Sequence, residues 1–313
     1  MSAAPDSSSS AEGSTRHGVR IFAIWIVLAI VADVLWIAFA AKHIPPGRMS
    51  STATGAQFDL NVLIEMVIPV LLGVWVYLVY AIVTWRASRG GPDPVGGEAA
   101  RGNTTIEASW IAITTVIVLF LAGFGTYELV QPEGAGGAQG PNPIWTPSSH
   151  TVLQVQAIGQ QWKWTFRYPS FGGFETNNLV VPEGATVQFN VTSLDVIHSL
   201  WLYQLGVKAD ANPGQNNVAF TTPQQLGYFN VRCSELCGIW HGAMYTTGKV
   251  VTPAQFETWA TQTQAQLAEN TALLPPYSLT YTPDANGADG GYYPTNDPYS
   301  PSETYGATAP AGS

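Results

Sequence analysis

Charge is what this 313-residue chain has least of. Asp, Glu, Lys and Arg supply 11% of its residues, against roughly 25% in an ordinary soluble domain. With 46% hydrophobic residues, that deficit excludes a wholly water-exposed globule and points to a membrane. Positive charge is scarcer still: 12 Lys and Arg stand against 21 Asp and Glu, a net charge of −9. General nucleic-acid binding needs a basic patch and is excluded as the main activity, whereas a basic protein partner would be attracted. Cysteine occurs only twice, and no internal repeat of fixed period is evident.

In place of charge the chain has three long apolar stretches, Ile21 to Ala41, Val62 to Trp85 and Trp110 to about Val130. Each approaches or exceeds the ~20 residues that carry a helix across the hydrocarbon core. Spanning helices are predicted at about 21–41, 60–86 and 108–130. Arg16 and Arg20 ahead of the first run, with Ala38-Phe39-Ala40 near its end, also fit a secretory signal. The run is longer than the usual signal core, so a retained helix is expected. Arg16, Arg20, Arg86, Arg89 and Arg101 flank the N-terminal tail and the second loop, against Lys42 and Arg48 in the first. Positive charge collects on the cytoplasmic side, which exports everything after about residue 131. Asp33 and Glu65 sit at membrane depth, where a carboxylate normally faces protein.

Residues 1–20 and 87–105 have too little apolar surface to fold alone, and the Pro-, Gly- and Tyr-rich tail from Pro275 reads as a disordered linker or an arm lying across a partner. Between them, about 148–251, the pattern is that of strands. Ala185, Val187, Phe189 and Val191 alternate with Thr186, Gln188 and Asn190, predicting a half-buried strand after the turn signal VPEG. TVLQVQAI, NNLVV, GYFNVRC and GKVV are further short β-rich runs. Together they predict a sandwich or barrel. TPAQ at 252–255 opens a short amphipathic helix through about Leu274, with Thr252 as N-cap and Pro at the first helical position. The expected fold is a membrane-anchored all-β protein: three N-terminal helices, an extracytoplasmic sandwich at 131–260, and a C-terminal helix end and tail at 261–313.

Both cysteines fall in CSELCGIWHGAM, residues 233–244, which places Cys233, Cys237, His241 and Met244 four, four and three residues apart. Thiolate, imidazole and thioether are soft ligands that select copper. A structural zinc site prefers closer Cys pairs and has no use for Met. A Cys233–Cys237 disulfide is the remaining alternative. Apart from His150 at the margin, the exported region has one more histidine, His198 in DVIHSLW, just after the strand at 185–191. An end loop there could meet the cysteine loop.

At these residues the chain resembles the dinuclear copper (CuA) signature of subunit II of cytochrome c oxidase, over about residues 56–260. The resemblance implies a cupredoxin-like domain in which Cys233 and Cys237 bridge two copper ions. His198 and His241 would each bind one copper, with Met244 a weak ligand and the Glu235 carbonyl serving the other ion. It also implies a magnesium held partly by the Glu235 side chain, and places Asp210 of GVKADANPG near the interface with subunit I. In GQQWKWTFRYP it makes Trp162 the point where electrons enter, although Gln160 stands where the family usually has His. A core strand accounts better for Trp164 and Phe166 than for Trp162. Glu107, in IEASWIAI, falls where the family has a carboxylate at the cytoplasmic mouth of a proton path. The additional first helix with Asp33 departs from the two-helix family pattern.

By resemblance the chain is the electron-transfer subunit of a respiratory oxidase in a bacterial or archaeal cytoplasmic membrane, beside subunit I and subunit III. Its donor would be cytochrome c or a small blue copper protein, and its reaction oxygen reduction coupled to proton pumping. The predicted spans contain no histidine, so haem must be ligated by another polypeptide. Other classes remain: a CuA subunit of a nitric oxide or nitrous oxide reductase, a copper-free quinol oxidase subunit, or an anchored β-domain with a disulfide. From residue 131 the chain has five basic residues against twelve acidic ones, a balance that permits docking of a basic donor.

Overall fold

The computed structural model describes residues 7–43, 47–85, 102–131, 139–140, 143–144, 146–147 and 152–271, with side chains from residue 16 onward. His150, most of the 87–105 stretch and the tail from Pro275 lie outside them. Contacts divide the chain into two units, Met1–Ile44 with Leu60–Gly123, and Pro45–Asp59 with Phe124–Ser313.

The first unit is built from α1 (Ser7–Leu35), most of α2 (Ser51–Thr84) and most of α3 (Thr104–Val130). All three helices are long and apolar enough to cross a membrane. Each begins earlier than predicted, at Ser7, Ser51 and Thr104 rather than near 21, 60 and 108. The hydrophobic run marks what lipid covers, not where the helix starts: once a turn is nucleated, each added residue costs little, so polar flanks propagate outward. Much of the N-terminal tail expected to be disordered is therefore helical. Pro69 lies inside α2, and its carbonyl accepts the Trp25 indole N–H of α1 at 2.7 Å. Gly73 opens the space for that contact, since a Cβ there would lie 3.3 Å from the Trp25 nitrogen. Asp33 Oδ1 is inaccessible and has no hydrogen-bond partner.

The start of α3 gives Glu107 a structural task. Asn103 Oδ1 accepts the N–H groups of Thr105 and Ile106, and Glu107 Oε1 reaches back to the Asn103 N–H at 3.2 Å. The cap is reciprocal, and the carboxylate sits at the positive end of the helix dipole.

The second unit is a β-sandwich. One sheet has the order β1-β9-β6-β2-β3-β4, from β1 (Gln139–Gly140), β9 (Asn217–Thr221), β6 (Thr186–Ser193), β2 (Val152–Gln160), β3 (Lys163–Tyr168) and β4 (Phe174–Thr176). The other is β5-β11-β10-β7-β8, from β5 (Leu179–Pro182), β11 (Tyr245–Val251), β10 (Gly227–Cys233), β7 (His198–Leu202) and β8 (Val207–Ala211). Val187, Phe189 and Val191 of β6 face the core as their alternation predicts, with Leu153, Phe166, Leu200 and Phe229 around them. On the other face the half-buried expectation holds at Thr186 and Gln188 and fails farther along the strand. Asn190 and its β2 neighbour Gln156 are fully buried, and Asn190 Oδ1 accepts from Gln188 and Asn216. Alternation identifies which side chains share a face but not what covers it, and β6 is an inner strand flanked by β2 and β9.

Helix α4 (Pro253–Gln266), followed by the short α5 (Ala268–Thr271), packs Phe256 and Trp259 against Tyr168 and Phe174. Thr252 and Gln255 form the predicted capping box, while residues 272–274 of the predicted helix lie outside the described residues. The first turn of α2 also belongs to this unit. Ser50 Oγ donates to Leu205 O and accepts the Ala53 N–H, and Gly206 (φ +67°) is required because a Cβ would fall 2.5 Å from Ala53 N.

Tyr168 closes the sandwich through both polar atoms of one residue: its hydroxyl donates to Val180 O at 2.8 Å and accepts Val180 N–H at 2.9 Å. Tyr168→Phe strands both groups and should cost about 1–3 kcal/mol, read from denaturant unfolding of the detergent-solubilised chain; an unchanged midpoint would remove this pair from the stabilising contacts.

Candidate metal centre

Cys233 ends β10 and opens a loop that returns as β11, so the loop hangs from two paired strands at one end of the second sheet. Cys233 pairs with Leu200 of β7, and Ser234 N–H donates to Ser199 O at 2.9 Å. His198, the first residue of β7, is thereby brought beside Cys233 from 35 positions away. The Cys233 N–H also donates to Met244 O at 3.1 Å, which closes the loop at its base.

Inside this frame the sulfurs are reduced and close, with Cys233 Sγ 3.8 Å from Cys237 Sγ. His198 Nδ1 lies 3.9 Å from the Cys233 sulfur, and His241 Nδ1 lies 3.6 Å from that of Cys237. Met244 Sδ is 3.9 Å from Cys237 Sγ, and the Glu235 carbonyl oxygen is 3.2 Å from Cys233 Sγ. Every member of the predicted ligand set is therefore present, with one imidazole serving each sulfur. Cys233, Cys237, Met244 and His198 are buried, whereas His241 is partly open. Among the described residues, the one group of at least three His, Cys, Asp or Glu donors close enough to share an ion is His198, Cys233 and Cys237.

These donors fit copper: thiolate, imidazole and thioether are all soft or borderline. A disulfide does not describe the pair, since both thiols are free. A zinc site would leave the thioether without a purpose.

Electrostatics divides the two thiols. Burial opposes charge on Cys233, but hydrogen bonding from His198 and at the Ser199 and Glu235 backbone outweighs it, pulling the pKa down to about 6. Burial and the neighbouring Cys233 charge push Cys237 up to about 12. Between those two values the metal-free pair holds one proton and one negative charge. For His198, burial favours the neutral ring, but Cys233 and Asp195 together raise its pKa.

Several supporting residues escape a reading by motif. Asp195 Oδ1 lies 2.8 Å from His198 Nε2, and its Oδ2 accepts the Gln161 N–H at 2.7 Å. A carboxylate on the far ring nitrogen turns Nδ1 toward the sulfurs and fixes the tautomer. Burial works against the Asp195 charge, but hydrogen bonds from Gln161, His198 and Val196 hold its pKa below the usual range. The signal was present as Asp three residues before His198. Gly159 makes room for the imidazole, because a Cβ there would lie 2.9 Å from the ring.

Trp162 reaches the same loop from the turn between β2 and β3. Its indole N–H donates to Cys237 O at 3.0 Å, and Gln161 Nε2 donates to that oxygen at 2.9 Å. Gly238 (φ +112°) permits the approach, since its Cβ would lie 3.2 Å from both side chains. Trp164 and Phe166 are core residues as expected, and Trp162 is only half-buried. Glu235 and Asp210 are exposed. Asp210 pairs with Ser199, whose carbonyl holds Ser234, so the two acids lie on neighbouring stretches of chain. Their carboxylates join no group of three such donors among the described residues.

Comparison with known proteins converges on one family. The profile described as "Cytochrome C oxidase subunit II, periplasmic domain" matches residues 173–251. Cytochrome c oxidase subunit 2 of Thermostichus vulcanus is 28% identical over 284 residues, covering 77% of this chain and 86% of that protein. A probable cytochrome c oxidase subunit 2 of Rickettsia bellii is 30% identical over 203 residues, covering 58% and 69%. The crystallised periplasmic domain of subunit II of cytochrome oxidase (CoxB) from Bradyrhizobium japonicum is 33% identical, with a TM-score of 0.37, and covers 39% of this chain and 99% of that one.

In metal-free protein, the thiolate absorbance should rise by one sulfur with a midpoint near 6, and by the second only near 12. His198→Ala removes a contact that lowers the first value and should move that midpoint upward. Two thiols titrating together near the ordinary ~8.5 would contradict the asymmetry.

Proposed function

The chain belongs to the cytochrome c oxidase subunit II family, and from that premise we propose that it carries a dinuclear CuA centre which relays electrons from an extracytoplasmic donor to haem in subunit I. The observation that carries this reading is the convergence of four soft side chains, Cys233, Cys237, His198 and His241, with Met244 and the Glu235 carbonyl at 3.2–3.9 Å from the sulfurs. Copper held by Cys233, Cys237, His198 and His241, with Met244 and the Glu235 carbonyl beside them, would supply one-electron redox chemistry, its charge shared with the soft thiolate donors.

The chain's own residues set the conditions for that chemistry. Asp195 orients His198, while Gln161 and Trp162 fix the Cys237 carbonyl. Burial of the sulfurs keeps water from the ligands. Trp162, half-exposed and bonded to a ligand residue, is the proposed point of arrival for electrons from cytochrome c or a small blue copper protein. The exposed carboxylates of Glu235 and Asp210 suit a magnesium shared with subunit I. Oxygen reduction and proton pumping are assigned to the assembled oxidase, with subunit I and subunit III, in a bacterial or archaeal cytoplasmic membrane with the β-domain outside. The complete ligand set weighs against a copper-free quinol oxidase subunit.

Loaded with copper, the full chain should be purple and bind two ions, and Cys233→Ser should abolish the colour; a colourless, metal-free product from the unaltered chain would sink the reading. Met244→Leu should keep both ions and raise the potential, because a weak electron donor to the oxidised state is lost. Loss of metal in that variant would show that Met244 is a structural ligand instead.

Glu107 is proposed at the mouth of a proton path. Glu107→Gln preserves the acceptor that caps α3 but cannot carry a proton. Slower oxygen turnover by the assembled oxidase at unchanged stability would support the role, whereas unchanged turnover would reduce Glu107 to a cap.

A further inference from the structure

The turn between β2 and β3 touches both of the loops that carry the soft donors. Its neighbouring residues Gln161 and Trp162 donate to one atom, the carbonyl oxygen of Cys237, from Gln161 Nε2 at 2.9 Å and from Trp162 Nε1 at 3.0 Å. A carbonyl oxygen has two lone pairs, and here both are taken. The backbone N–H of Gln161 donates elsewhere, to Asp195 Oδ2 at 2.7 Å, while Asp195 Oδ1 lies 2.8 Å from His198 Nε2. Gln161 is therefore bonded by its side chain to a cysteine residue and by its main chain, through one carboxylate, to an imidazole.

Closure of the cysteine loop does not depend on that side chain. The loop is already tied by Cys233 N–H to Met244 O, Ser234 N–H to Ser199 O and His241 N–H to Gly238 O, and Gln161 itself is exposed. Space is nevertheless left for it. Gly238 follows the carbonyl that Gln161 reaches, and a Cβ there would lie 3.2 Å from Gln161 Nε2. A contact that the loop accommodates without needing it for closure acts on what the loop carries.

Its effect has a definite sign. An added electron makes a metal centre more negative, and the positive end of an N–H dipole directed at a ligand residue stabilises that reduced state more than the oxidised one. Two such dipoles point at Cys237. Trp162 supplies one of them, so removing the other lowers the effect without abolishing it.

We propose, on the copper reading above, that Gln161 is a positioning residue that raises the electron affinity of the centre: its side-chain amide acts through the Cys237 carbonyl, while its backbone N–H keeps Asp195 on His198. The two contacts are separable, because replacing the side chain leaves the backbone donor in place.

Gln161→Met keeps the length of the side chain and removes the donor, and Gln161→Glu keeps its shape but turns a carboxylate toward the carbonyl. The full chain in detergent, with isotopically labelled cysteine carbonyl carbons, gives one resonance for each of its two cysteines. In the metal-free protein Gln161→Met should move the Cys237 resonance upfield and leave that of Cys233 in place, at an unchanged unfolding midpoint. Loaded with copper, the variant should keep both ions and show an electron affinity about threefold lower, a shift of ~28 mV at ~59 mV per tenfold for one electron. Gln161→Glu should lie lower still. A Cys237 resonance that does not move, lost stability, lost copper, or a potential equal to that of the unaltered chain would each overturn the proposal and leave the copper reading standing. An unaltered chain that takes up no copper would overturn both.

Discussion

Two thiols held 3.8 Å apart without bonding to one another impose the central constraint on this protein. Both sulfurs are buried, and the negative charge favoured on Cys233 is one that an apolar interior does not tolerate without compensation. The compensation comes from imidazoles on two separate stretches of chain and from backbone groups at Ser199 and Glu235. The sandwich makes this arrangement possible, because hydrogen bonds between strands fix where β7 and β10 end relative to one another. A slip of one residue in that register would turn His198 away from the sulfurs.

Around the sulfurs, positions are set by what is missing as much as by what is present. Gly159 leaves a gap that an imidazole fills, and Gly238 leaves a gap that a tryptophan and a glutamine approach. Asp195 then ties the two sides together, accepting from Gln161 on one and bonding His198 on the other. Such outer contacts are what hold soft ligands in a single geometry.

The candidate donors were legible because their chemistry is rare here: two cysteines in the whole chain, with His and Met at fixed spacing, leave few readings. The spans were legible because lipid demands length, and the cap of α4 because Thr252-Pro253 and Gln255 form a local device. What escaped depended on distant approach. Nothing near Gly159 in the chain says that His198 will lie over it, and alternation in β6 did not reveal that Asn190 would be covered. Helix starts escaped for a different reason: polar residues such as Ser7 and Thr104 join a helix by propagation from apolar neighbours. Glu107 stood out through its likeness to a family carboxylate at a proton-path mouth, and its part in capping α3 emerged only from geometry.

The bond from the Trp162 indole to the Cys237 carbonyl carries one more implication. An amide oxygen is a feeble base, far too weak to strip hydrogen from an indole even when that ring is electron-poor. A positive hole visiting the ring would therefore pass on without deprotonating it, and no radical would be left behind to react with its surroundings.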